Sequence, residues 1–158
     1  MLEVNEKFPA FELLNKEGKT CSLEDYSGQW LIIFFYSKDG TSACTKEVDT
    51  FGEQQNTFTK ENATIIGISG DSIKTHANFS QKHNIKYDLL SDPGRNFINS
   101  IGLLKDKKMY GKAVKGVVRS TFILDPKGII KALWTAVKVD GHVEEVLQKL
   151  KDLKNKNH

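Results

Sequence analysis

Cys44 is one of two cysteines in a chain of 158 residues, and it stands where a polar loop, "SKDGTSA" (37–43), gives way to helical spacing. A helix start carries partial positive charge and unpaired amide donors. Both favour a thiolate over a thiol, and the thiolate is the nucleophile. Thr41, three residues upstream, could set its hydroxyl against the sulfur or a bound oxygen; Ser42 could do the same or cap the helix. A nearby cation would favour the thiolate further. Arg119, in "VVRSTF", is the candidate, because a charge inside an apolar strand is unfavourable without a partner. Spacing alone does not bring Arg119 to Cys44. An inert buried thiol and an arginine paired with a surface carboxylate satisfy the same local patterns.

The elements that would have to position these residues alternate between strand and helix signals. "FELLNKEGKTCS" reads as a hairpin turning at Asn15-Lys-Glu-Gly18 and passing through Cys21. "WLIIFFYS" (30–37) is a nearly continuous apolar run, the pattern of a central strand buried on both faces. From Cys44, positions 44, 48, 51, 55 and 58 form one helical stripe that places the thiol on an inward face. "ATIIGISG" (63–70) is a second buried strand, and "DSIKTHANFSQKHN" is a helix capped by Asp71 or Ser72. A short strand in "YDLLS", a turn at Asp92-Pro93-Gly94 and a helix follow. "MYGKAVKG" reads as a loop, 117–125 as a third strand, and "IIKALWTAV" as its hairpin partner. A helix behind Asp140 or Gly141 closes the chain. This order predicts one α/β domain over 1–158, with a mixed central sheet flanked by helices and an N-terminal β-hairpin.

Several chemistries lack their signatures. No CxxC is present, which argues against a dithiol site, and no GxGxxG or GxxxxGK[ST] marks a nucleotide. His76 and His83 are two turns apart rather than one and have no cysteine nearby, so no metal site is expected. A Cys-His hydrolase would need a base, and nothing singles out one histidine; His142 reads as a helix N-terminal residue. Net charge is +3, spread along the chain apart from a lysine-rich end, too weak to argue for nucleic acid or a membrane surface. The first residues lack the basic and apolar regions of a signal peptide, no apolar run reaches membrane-spanning length, and two cysteines do not make a disulfide framework. A reducing cytoplasm is the expected compartment.

The segment "YSKDGTSACTKEVDTF" resembles the active-site segment of the peroxiredoxins, in particular the bacterioferritin comigratory protein (peroxiredoxin Q) group. Tyr36, Lys38, Asp39, Thr41, Cys44, Thr45 and Glu47 match that group's pattern. "IIGISGDSIKTHANF", "LLSDP", "KKMYGK", "VVRSTFILDPKGII" and "VKVDGHVEEVL" match in the same order, nearly end to end. The resemblance implies a thioredoxin-like fold and a cofactor-free thiol peroxidase acting on hydrogen peroxide and organic hydroperoxides. Cys44 would be the peroxidatic cysteine, and Thr41 with the backbone amides of Ala43 and Cys44 would orient the peroxide. Arg119 would stabilise the thiolate, Glu47 would hold the arginine, and Tyr36 would contribute to the substrate site.

The sequence departs from that pattern at Ser37, where the group has proline, and at Ser42-Ala43, where it has Pro-Gly. Asp49 stands where many members carry a resolving cysteine, and Cys21 lies at no family resolving position. The resemblance therefore implies a one-cysteine cycle in a monomer or weak dimer. Reduction would come from glutathione, a glutaredoxin or a thioredoxin. The alternative is a non-catalytic redox-sensing or binding module on the same fold.

Overall fold

The computed structural model describes residues 2–156, with the backbone alone for Met109. Its centre is β3 (Trp30–Phe35), every residue of which is buried. That is possible only if both faces and both edges of the strand are covered. On one edge β3 pairs in parallel with β4 (Ala63–Ser69), on the other antiparallel with β8 (Ser120–Leu124). Parallel β5 (Asp88–Ser91) extends the first side, followed by the N-terminal hairpin β1 (Glu12–Asn15) and β2 (Thr20–Ser22). Strand β9 (Ile130–Trp134) extends the other. The result is a mixed seven-stranded sheet in the order β2-β1-β5-β4-β3-β8-β9.

Alternation along β3 divides the apolar interior in two, because successive side chains point to opposite faces. Trp30, Ile32, Phe34 and Tyr36 belong to one cluster; Leu31, Ile33 and Phe35 belong to the other. The first cluster is closed by α1 (Ser42–Glu53), α2 (Gln55–Lys60), α3 (Ile73–His83) and α5 (His142–Lys156). The second is closed by Phe8, Phe11, Tyr26 and Ile98 of α4 (Asn96–Ser100). Cys44 lies in the first cluster and Cys21 in the second.

The predicted elements are present with three corrections. "MYGKAVKG" is not a loop: β6 (Leu104–Met109) and β7 (Lys112–Val117) form a separate two-stranded ribbon. Its turn sets Tyr110 and Gly111 at φ 52° and 78°, the left-handed pair that matches strand twist in a two-residue hairpin. The expected strand over 117–125 is divided: Val117 ends β7 and β8 begins at Ser120, leaving Arg119 at the junction rather than inside a strand. The stripe from Cys44 to Phe58 is shared by two helices, because the chain leaves helical geometry at Gln54.

Packing fixes how α1 lies on the sheet. The Phe51 ring stacks on Phe34 with centroids 4.6 Å apart, and the Tyr87 hydroxyl donates to the Val48 carbonyl at 2.7 Å. Phe34 has room for this because Gly67 lies beside it on β4: a Cβ there would meet the Phe34 ring at 2.7 Å and Leu89 at 2.9 Å. Gly67→Ala should therefore destabilise the fold by about 1–3 kcal/mol through overpacking. Urea unfolding measures this, and an unchanged midpoint would remove Gly67 from the account of how α1 is seated.

Candidate active site

Thr41 is the residue before the first turn of α1, in extended conformation, and its carbonyl takes the Thr45 amide at 2.8 Å. Ser42 is the first helical residue and solvent-exposed, so the expected capping role falls to the position of Thr41 instead. Cys44 is the third helical residue, 1% exposed, facing the sheet. The amides of Ala43 and Cys44 thus lie in the helical turn whose donors have no intrahelical acceptor.

Arg119 closes the site from the far side of the chain. Its Nη2 donates to Cys44 Sγ at 3.2 Å and its Nη1 to Glu47 Oε1 at 2.7 Å. Glu47 lies one helical turn after Cys44 and is fully buried, and its Oε2 has no hydrogen-bond partner. A buried carboxylate with one oxygen unsatisfied is costly to ionise. Burial accordingly raises Glu47 to about 7, against the opposing pull of Arg119. Burial also pushes the Cys44 thiol upward. The Thr41 hydroxyl, the Lys38 backbone and the hydrogen bond and charge of Arg119 outweigh it, so Cys44 lies below the ordinary thiol value. The Thr41 hydroxyl makes no capping bond; its one proton goes to the Lys38 carbonyl at 3.2 Å, and rotation about the C–O bond would turn it to a sulfur anion instead.

One expected residue is placed differently. Tyr36 is fully buried and its hydroxyl donates to Asp39 Oδ1 at 2.5 Å, so it holds the loop from behind and does not face a substrate. Cys21 is a free, buried thiol on the opposite face of the sheet from Cys44. His142 is buried at the start of α5, its Nε2 against the Thr121 hydroxyl at 2.8 Å. Burial, opposed by Glu145 and assisted by Arg119, lowers its pKa. His83 pairs with Asp49 at 3.3 Å.

Sequence reasoning missed the residues that support the loop. Asp39, Ser69, Asp71 and His76 form a hydrogen-bonded cluster with Tyr36. Asp39, Asp71 and His76 bring potential ligand atoms within 4.8 Å of one another. Asp39 pairs with His76, while Asp71 accepts from the Ser69 hydroxyl and the Asp39 amide, so the cluster reads as a polar support. No local signal pairs residues 39 and 76. A half-open cavity of about 690 Å³ lies near the other end of β3, lined by Phe8, Phe11, Tyr26 and Leu31. No cysteine lines it.

Comparison with known proteins gives a consistent answer. The AhpC/TSA family profile matches residues 4–133. Peroxiredoxin Bcp of Bacillus subtilis is 39% identical over 155 residues, 98% of this chain and 99% of that protein. Among solved structures, the bacterioferritin comigratory protein of Xanthomonas campestris, studied for alkyl peroxide reduction with a trapped intermediate, superimposes with a TM-score of 0.85. It is 40% identical, with 90% of each chain covered. A cysteine-to-serine mutant of Xylella fastidiosa PrxQ gives 0.91 at 34% identity over 98% of each chain.

Arg119→Ala should raise the Cys44 pKa and slow its reaction with peroxide by roughly ten- to a thousand-fold, the scale of losing one electrostatic stabiliser. Below the thiol pKa the rate falls as the thiolate is lost, so the acid limb of the pH–rate profile should move to higher pH in the variant. A profile that stays in place would show that Arg119 does not act on the sulfur. Ser42→Pro tests the helix start separately. The first helical position suits the fixed φ of proline and Thr41 already has the extended backbone that must precede it. A gain of about 0.4–1 kcal/mol in thermal or urea unfolding is expected; a loss would mean that the Ser42 amide is needed.

Proposed function

The chain belongs to the AhpC/TSA family, in its Bcp/peroxiredoxin Q branch, and on that premise we propose that its thiol-dependent peroxidase activity runs through Cys44. The observation that carries this reading is the Arg119 guanidinium set at 3.2 Å from a cysteine sulfur in the first turn of α1. The Cys44 thiolate attacks the terminal oxygen of H2O2 or an organic hydroperoxide. A sulfur–oxygen bond forms, the oxygen–oxygen bond breaks, and its electron pair leaves on water or alcohol once a proton is taken up. Sulfur gives up the two electrons that reduce the peroxide and becomes a sulfenic acid. Arg119, Thr41 and the amides of Ala43 and Cys44 face the charge as it moves from sulfur to oxygen. Glu47 positions Arg119, and Tyr36 acts only through the loop.

Reduction follows from where the thiols lie. Cys21 and Cys44 occupy separate apolar clusters on opposite faces of the sheet, and Asp49 is engaged with His83. The sulfenic acid is therefore resolved by an external thiol, which displaces water to form a mixed disulfide that a second thiol reduces. Glutathione, a glutaredoxin or a thioredoxin can serve. We place this one-cysteine cycle in a single domain over 1–158, monomeric or weakly dimeric, in a reducing cytoplasm. No helix among the described residues is long and apolar enough to cross a membrane.

Cys44→Ser should abolish peroxide consumption in the presence of a thiol reductant, whereas Cys21→Ser should retain most of it. Intact mass after one equivalent of H2O2 should show one added oxygen in Cys21→Ser and none in Cys44→Ser. Equal losses of activity in the two variants, or an internal disulfide in the wild type, would defeat the one-cysteine cycle. A wild type that consumes no peroxide would leave a redox-sensing or binding module.

A further inference from the structure

Lys38 and Thr41, the loop residues that help hold the Cys44 thiol below its ordinary value, lie on either side of Asp39 in the chain. Asp39 is held at three atoms. Its amide donates to Asp71 Oδ2 at 2.8 Å, its Oδ1 accepts from Tyr36 at 2.5 Å, and its Oδ2 faces His76 Nδ1 at 2.6 Å. The His76 and Asp39 side chains are 0% and 2% exposed, so water does not compete.

Donor and acceptor counting fixes what His76 does there. Its Nε2 faces the Leu90 carbonyl at 3.2 Å and Ser69 Oγ at 3.3 Å. Ser69 gives its one proton to Asp71 Oδ2 at 2.6 Å, so towards His76 it can only accept, as can the carbonyl. Nε2 therefore carries hydrogen. A carboxylate oxygen 2.6 Å from Nδ1 requires a second hydrogen between them. His76 thus bridges two elements: its Nε2 donates to the Leu90 carbonyl of β5, and its Nδ1 shares a hydrogen with the loop's Asp39. The ring spans from the sheet to the loop that precedes the nucleophile.

We propose that His76 is a positioning residue for the peroxide reaction: its Nδ1 bond to Asp39 locks the 38–41 loop so that Lys38 and Thr41 stay in register with Cys44. The proposal rests on Cys44 being the nucleophile. It gives the loop a source of rigidity other than the two prolines that the family pattern has at positions 37 and 42. Three hydrogen bonds on one residue fix both main chain and side chain, and buried, fully satisfied networks of this kind are stiff.

The test separates the two nitrogens of the ring. An asparagine amide can take the place of Nδ1, and a glutamine amide that of Nε2. In a Cys21→Ser background, thiolate absorbance titration reads the Cys44 pKa and stopped-flow reads its reaction with H2O2. His76→Asn should keep both within about two-fold of the parent. His76→Gln should move the titration up by about one pH unit and slow the peroxide step about ten-fold at neutral pH, since each unit is a ten-fold loss of thiolate. If the two variants behave alike, whether both impaired or both intact, the Nδ1–Asp39 bond does not position the loop and the proposal fails. Should either variant not fold, Asp39→Ala removes the carboxylate that Nδ1 holds. An upward shift in the same titration supports the proposal, and an unmoved titration overturns it. A parent protein whose Cys44 does not react with peroxide would instead overturn the reading of Cys44 itself.

Discussion

One guanidinium holds the site together. Arg119 is wedged between a sulfur and a fully buried carboxylate, and a buried charge persists only where partners surround it. That requirement shapes its neighbourhood. Glu47 must come one turn after Cys44 so that both face the same cation, and α1 must lie on the sheet at the height where β7 gives way to β8. The stack of Phe51 on Phe34 and the Tyr87 bond to Val48 set that height. Glu47 is incompletely compensated, with one oxygen unpaired, so it screens the arginine only in part and leaves positive potential directed at the sulfur.

The fold was legible wherever burial imposes a period. The nearly continuous apolar run of 30–37 has the pattern of a central strand, and the Cys44–Val48–Phe51 spacing that of one helical face. The β6–β7 ribbon escaped because it lies outside the main sheet: it is lysine-rich, largely exposed and shows no alternation to read. Its Tyr-Gly turn is recognisable only once the backbone is seen. The break at Gln54 escaped for the opposite reason, since the apolar stripe continues across it unchanged.

The site divided along similar lines. Cys44 and Thr41 were visible because a helix start is a local event. Arg119 was visible as an anomaly, a charge among apolar residues, although the cause is a chain junction and not a strand interior. Family resemblance supplied Glu47, which spacing alone could not distinguish from any helical glutamate. Resemblance also put Tyr36 on the substrate surface, where the fold instead buries its ring and turns its hydroxyl to Asp39. The link from Asp39 to His76 had no sequence signal, because β4 and the register of α3 create it.

The sheet between Cys21 and Cys44 also sets a timing rule. An oxidised sulfur with a thiol in its own chain is rescued at a rate that no other molecule controls. In the one-cysteine cycle proposed for this chain, an oxidised Cys44 would wait on whatever diffuses to it. A thiol returns it to the cycle, and a second peroxide carries it on to sulfinic acid, a form ordinary thiols do not reverse. The branching depends on the ratio of the two concentrations rather than on either alone. The fraction of chains that leave the cycle thus becomes a cumulative record of how often oxidant outran reductant.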